Sequence, residues 1–168
     1  MVKAGYEVTI YPTQAPEDAI HKVEVDAEKY DLVVCSGGDG TLDEVVEGMM
    51  KRTDRVPIGY VPAGTTNDFA RSLHIPSNMI RAAEMIVQEK EYACDIGSFN
   101  EDSFVYIAAF GLFTDVSYET DQQVKNVLGH LAYVLEGARR LNKYPSYHLR
   151  VTSNGTTIEE DFMLSLIH

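Results

Sequence analysis

Leu32-Val33-Val34-Cys35-Ser36-Gly37-Gly38-Asp39-Gly40-Thr41-Leu42-Asp43-Glu44-Val45-Val46-Glu47-Gly48 reads as strand, glycine turn and helix. The run Leu32 to Cys35 is short, apolar and rich in β-branched residues, as a buried parallel strand is. Ser36 to Thr41 breaks it. From Leu42 to Met50 the apolar positions Leu42, Val45, Val46, Met49 and Met50 recur at helical spacing. Three glycines leave no Cβ between a ligand and the backbone N–H groups. A positive φ is expected at Gly38, a conformation that β-branched residues reach only at a cost. The helix that follows aims its first amides and the positive end of its dipole at the same place. Physically, that is a phosphate site.

Two better-known glycine loops are excluded. No Gly-Lys-Ser or Gly-Lys-Thr follows, and the spacing is not the dinucleotide GxGxxG. The unusual feature is Asp39 inside an anion site. A carboxylate there repels phosphate unless a cation lies between them, and Mg²⁺ bridging carboxylate and phosphate oxygens resolves the conflict. The plainer alternative is that Asp39 only caps the helix.

Composition limits the partners. With Lys+Arg 14 against Asp+Glu 26, the net charge is -12. No basic stripe exists to neutralise a nucleic-acid backbone. Any phosphate must be held by backbone amides and metal more than by lysines. Cys35 and Cys94 both sit in apolar, strand-like runs and read as buried, reduced thiols, with no Cys/His spacing for zinc. No apolar run reaches the roughly 18 residues of a membrane span, and no signal peptide opens the chain. The expectation is a soluble, cytoplasmic protein.

Working outward, Met1 to Gly5 looks like a helix end capped by Gly5, and Tyr6 to Tyr11 alternates as a strand. Glu17 to Tyr30 is a helix with Ala19, Ile20, Val23 and Ala27 on one face. Ile58 to Val61 is the next strand. Pro62-Ala63-Gly64-Thr65-Thr66-Asn67-Asp68-Phe69-Ala70-Arg71 repeats the pattern of strand, glycine turn and helix start. Successive β-α turns of a parallel sheet open on one edge, so this loop is expected to face the first. Thr66 or Asn67 can cap its helix. Asp68 is either a first-turn helix acid or a site residue. Asn78 to Glu89 is a helix with Ile80, Ala83, Ile86 and Val87 inward.

From Glu91 the character changes, which places a boundary between an α/β part, 1–90, and a β-rich part, 91–168. Tyr92 to Gly97 reads as a strand and Val105 to Phe110 as its hairpin partner. Asp95 in an apolar strand needs a partner or must stay at an edge. Lys125 to Leu141 is an amphipathic helix. Tyr147 to Thr152 and Thr156 to Ile167 are strands joined by Asn154-Gly155, a strong hairpin signal.

GGDGT followed by LDEVV, with PAGTTNDFAR downstream, resembles the diacylglycerol kinase catalytic domain. Bacterial soluble diacylglycerol kinases, YegS-like lipid kinases and sphingosine kinases share this pair of motifs. Asp95-Ile96-Gly97, Phe110 to Val116 and Leu128-Gly129 extend the likeness along the chain. The resemblance implies an α/β nucleotide-binding domain, similar to phosphofructokinase and NAD kinase, followed by the beginning of a β-sandwich domain. It implies ATP and Mg²⁺ as cofactors and a lipid, diacylglycerol first, as substrate. It implies peripheral contact with a membrane. Members are often dimers, so it also implies a homodimer.

Carried over by motif, Gly37, Gly38, Gly40 and Thr41 cradle the ATP phosphates. Thr13, Glu44 and Thr65 match nucleotide contacts. Asp39, Asp68 and Asp95 match a carboxylate–water–Mg²⁺ network. Asp115 lies where sphingosine kinases hold the lipid headgroup. Asp43 departs from the pattern, standing where GGDGTLNE has Asn. The family's opening NPxSG-type phosphate loop and its late DGE-type general base have no counterpart here, so an internal fragment without turnover is expected. Two other readings stand beside the lipid kinase. One is an NAD kinase or phosphofructokinase-like kinase of a soluble substrate, which PAGTTNDFAR argues against. The other is a non-catalytic nucleotide- or lipid-binding module.

Overall fold

In the computed structural model, which describes residues 1–88, 91–111 and 146–168, the apolar run forms strand β1, Val33–Gly37. It pairs in parallel with β2, Ile58–Pro62, in the register Val33↔Ile58, Cys35↔Tyr60 and Gly37↔Pro62. Helix α1, Asp18–Asp26, precedes β1, and α2, Asp39–Met50, connects the two strands. The chain continues through the short α3, Asp68–Ser72, to α4, Met79–Val87. The β-α-β reading therefore holds, and so does the turn at Gly5, which ends a 3-10 turn at φ 94.

The core of this part comes from the stripes the periodicity marks. Ala19 and Val23 of α1, Cys35 of β1, Leu42, Val45, Val46 and Met49 of α2, and Tyr60 of β2 form one buried cluster. Leu42 at its centre is 2% exposed. Helices α1 and α2 meet closely at Gly48, where an added Cβ would lie 2.5 Å from the Ile20 carbonyl oxygen. Arg52, just past α2, bonds the Glu24 carbonyl and the carboxylates of Glu28 and Asp54, which ties the end of α2 to α1.

The residues fall into two units, Met1–Tyr106 and Ile107–His168. The first also holds the hairpin of β3, Gly97–Phe99, and β4, Asp102–Phe104, which lies on α2. In the second, β5, Ala108–Gly111, pairs antiparallel with β8, Leu164–Ile167. There β6, Tyr147–Ser153, pairs with β7, Thr156–Phe162, across the expected Asn154-Gly155 turn, with φ 50 and 78 at those two residues. The expected helix Lys125 to Leu141 lies outside the described residues.

Several expectations change. Tyr6 to Tyr11 forms no strand, and Ile10 is 84% exposed. Alternation supplies the side-chain pattern of a strand but not the backbone ladder that defines one. The hairpin expected over 92–97 and 105–110 is shorter and shifted to 97–104, because Asn100 adopts φ 57 and closes the turn there. The run Thr156 to Ile167 is two strands divided at Met163. On α4 the buried position is Ala82, and Ile80 faces solvent at 71% exposure.

The close crossing at Gly48 yields a signed prediction. Replacing a helical glycine by alanine usually gains about 1 kcal/mol. Overpacking against a rigid backbone oxygen costs about 1–3 kcal/mol. Gly48→Ala is therefore expected to lower stability in urea denaturation; a more stable variant would mean that α1 and α2 stand further apart.

Candidate functional site

The two β-α turns meet backbone to backbone. The ladder of β1 and β2 runs on into the loops, where Ala63 N–H donates to the Gly37 carbonyl at 2.8 Å. A Cβ on Gly38 would sit 3.3 Å from Gly64 Cα, and a Cβ on Gly64 would overlap Gly38 Cα. Glycine is required here for closeness, not for conformation. Gly38 has φ -88 and ψ -175, an extended backbone open to any residue, so the expected positive φ is corrected. Gly37 is hemmed in by the Thr41 side chain, which a Cβ would meet at 2.7 Å, whereas nothing lies within 4 Å of a Cβ on Gly40.

Asp39 is not in a loop. It is the first residue of α2, and its carboxylate reaches across to the amino end of α3. Oδ2 accepts from Asp68 N–H at 2.9 Å and Oδ1 from Phe69 N–H at 3.3 Å. The capping alternative thus applies to a different helix from the one expected. Asn67, at φ 53, does not cap α3 by its side chain. Its amide instead closes the second loop, accepting from Gly64 N–H at 2.9 Å and donating to the Gly64 carbonyl at 2.7 Å. Its signal in the sequence was its type, since Asn tolerates the left-handed region better than most residues.

Two more carboxylates of α2 hold other segments. Glu44 accepts from Glu17 N–H at 3.1 Å and Ala19 N–H at 3.3 Å, which caps α1 from outside. Asp43 accepts from Val105 N–H at 3.0 Å, just past β4. Burial pushes the Asp43 carboxyl above the usual carboxylate value; the Val105 N–H opposes this, and the charges of Asp39 and Glu47 add to it. Burial, then the Asp39 charge, raises the Tyr60 phenol to about 12. The Cys35 thiol is likewise raised to about 12, chiefly by burial.

The helix left over is α2 itself. Asn78 caps α4 by accepting from Ile80 and Arg81 N–H at 3.1 Å, while α1 and α3 are capped by Glu44 and Asp39. Among the described residues no side-chain cap bond satisfies the amino end of the 12-residue α2. Its first amides and its dipole point to the space in front of Gly37 to Thr41.

The remaining candidates are spread around this centre. Thr13 and Thr65 are exposed on their loops. The Asp68 side chain is half exposed, 3.7 Å from Arg71. Asp95 lies in an irregular, exposed stretch ahead of β3, not in the apolar strand expected. Cys94 beside it is exposed, which corrects the buried-thiol expectation. Asp115 lies outside the described residues.

Comparison with known proteins places the chain in a family. Residues 1–99 match the family described as the diacylglycerol kinase catalytic domain. The chain belongs to that family. It is 37% identical over 168 residues to a diacylglycerol kinase of Staphylococcus carnosus (strain TM300), covering 99% of this chain and 55% of that protein. It is 38% identical over 163 residues to one from Staphylococcus aureus (strain JH9), covering 96% and 52%. A crystal structure of a diacylglycerol kinase from Bacillus anthracis str. Sterne superposes with TM-score 0.75 at 28% identity, covering 98% of this chain and 54% of that one. The chain spans about half the length of the curated relatives it matches. The mixed α/β fold of the family is therefore shared.

Whether the family's cation fits can be judged from Asp39. Each of its oxygens takes one N–H and keeps capacity for another contact. Among the described residues, no group of three or more His, Cys, Asp or Glu forms a ready metal cage. The open positions on the Asp39 carboxylate suit Mg²⁺, which is usually held by one or two carboxylates together with substrate phosphates.

Two outcomes follow from these bonds. Asp39→Ala removes both caps of α3 and is expected to cost about 1–3 kcal/mol in urea denaturation; an unchanged midpoint would show that the bonds add nothing. Asp43 holds its proton more tightly folded than unfolded, so its contribution to stability falls as pH rises from the ordinary carboxylate value through the raised one. Asp43→Asn keeps an acceptor and does not titrate. Its melting temperature should exceed that of the parent chain at pH 7, and the gap should close near pH 3. A gap of the same size at both values would contradict the assignment.

Proposed function

We propose that the chain serves ATP-dependent phosphoryl transfer from Mg-ATP to the hydroxyl of diacylglycerol or a related lipid. The observation that carries this reading is the uncapped amino end of α2 behind a turn with no Cβ at its mouth. Such transfer is largely positioning and electrostatic stabilisation. Amides of Gly37 to Thr41 hold the phosphates. Thr13, Glu44 and Thr65 contact the nucleotide, Glu44 from its place at the start of α1. Asp39 is the metal-facing carboxylate, and Asp68 and Asp95 complete the polar network around it. When bound, Mg²⁺ neutralises charge developing on the transferred phosphoryl group.

The lipid must be met at a bilayer surface, so the reading includes a cytoplasmic protein in peripheral membrane contact, with a homodimer as its assembly. No helix among the described residues is long and apolar enough to cross a membrane. A net charge of -12 disfavours simple adsorption to anionic lipid, so contact would rest on apolar insertion or a local basic patch. The basic group Arg139, Arg140 and Lys143 lies outside the described residues. For Asp115, the reading keeps the lipid headgroup as partner.

Calorimetric titration with ATP tests the site. Binding that needs Mg²⁺ is expected, with loss of at least tenfold in Gly38→Val, whose branched side chain fills the phosphate space and strikes Gly64. Equal affinity with and without Mg²⁺ would remove Asp39 from the metal role. Wild-type affinity in the valine variant would overturn the cradle. Because a fragment without turnover is expected, labelled transfer from ATP is run on the full-length parent, in parallel over diacylglycerol, sphingosine, NAD and fructose 6-phosphate, to separate the substrates. Label in the soluble acceptors alone would overturn the lipid reading.

A further inference from the structure

Asp43 stands where the resembling motif has Asn, and the nucleotide reading gives it no task. Yet its side chain bonds a segment outside α2. Its carboxylate lies one helical turn after Asp39, half-buried, and holds the Val105 N–H at 3.0 Å across 62 residues of sequence. Val105 itself packs against the central core, as does Ile96 on the other side of the β3–β4 hairpin. The hairpin is short, three residues to a strand, and is closed by Asn100 in the left-handed region. So small a ribbon is marginal alone and needs docking to be ordered. The segment leading into it carries Asp95.

We propose that Asp43 is a positioning residue that fastens the β3–β4 hairpin to the phosphate-loop helix, so that the Gly37 to Thr41 turn and the hairpin respond to a bound nucleotide as one body. The argument is one of connectivity. Asp39 and Asp43 are on adjacent turns of one rigid helix. The first bonds α3 and the second bonds the exit of β4. A displacement of the amino end of α2 therefore reaches both neighbours through hydrogen bonds from backbone amides to the two short carboxylates. An Asn at this position can make the same bond through its carbonyl oxygen, whereas Ala cannot.

The inference rests on the nucleotide reading for its ligand, and the test keeps the two apart. Amide hydrogen exchange is followed residue by residue, with ATP and Mg²⁺ as the probe, in the unaltered chain, Asp43→Ala and Asp43→Asn. Without ATP, exchange at Val105 should rise at least tenfold in Asp43→Ala and stay within about twofold in Asp43→Asn. With ATP, Val105 should gain protection in the unaltered chain and in Asp43→Asn but not in Asp43→Ala, a coupling that a purely structural bond would not confer. Unchanged Val105 exchange in Asp43→Ala, or equal ATP protection there, overturns the proposal. Should the alanine variant fail to fold by circular dichroism, a tenfold rise at Val105 in Asp43→Asn overturns it, and retained exchange with ATP protection supports it. If ATP protects none of Gly37 to Thr41 in the unaltered chain, the nucleotide reading fails. Ligand coupling falls with it, and the Val105 rates without ATP decide the fastening alone.

Discussion

Much of the first unit depends on one carboxylate accepting two amide protons. Asp39 opens α2, yet its oxygens serve α3, bonding Asp68 N–H and Phe69 N–H. Bonds to an ionised acceptor are stronger than neutral ones. They draw the turn after β2 onto the turn after β1 until the backbones touch. That contact explains the glycines at 38 and 64 without appeal to unusual dihedrals. The same pull explains why Asn67 bends back on Gly64, since a loop held at both ends must satisfy its own polar groups.

Seen from α2, the arrangement is a hub. Asp39, Asp43 and Glu44 are nearly consecutive on the helix, and each leaves it to satisfy an amide of another segment. Three negative charges near the start of one helix would ordinarily favour its dipole and neutralise its amides. Here they are turned outward to α3, Val105 and α1. The amino end of α2 is left unsatisfied by any described side chain, and its neighbours are held in place by the residues that might have covered it. A turn built in this way is ordered before any ligand arrives, which lowers the entropy cost of binding.

This division also marks what was legible in the sequence. The order of strand, turn and helix and the Asn154-Gly155 hairpin follow from local pattern, because each is fixed by neighbours within a few residues, while the facing of the two glycine turns follows from the rule that β-α turns of a parallel sheet open on one edge. The use of Asp39 and Glu44 as caps for distant helices could not be read so, since a carboxylate in a motif does not announce which amide it will meet. Tyr6 to Tyr11 and Tyr92 to Gly97 failed for another reason. Alternation and apolar character describe the side chains of a strand, while a strand is defined by a ladder of backbone hydrogen bonds. Cys94 and Asp95 were misjudged together, because burial was inferred from that unformed strand.

The same hub resolves the conflict posed by an acidic phosphate site. A net charge of -12 sets a repulsive field for a nucleotide. Its local expression at the loop is softened, since the charge of Asp39 faces the positive end of α3 and that of Glu44 faces α1. What remains directed at the ligand space is the dipole of α2 and the unspent capacity of Asp39 for a cation. Amides alone can select for an anion, but they do not outweigh an adjacent carboxylate and a distant acidic surface. The arrangement therefore favours an anion that arrives with its own divalent cation over the bare anion. On the proposed nucleotide reading, the acidic composition, which argues against nucleic acid as the main partner, acts in the loop as a filter for the metal complex.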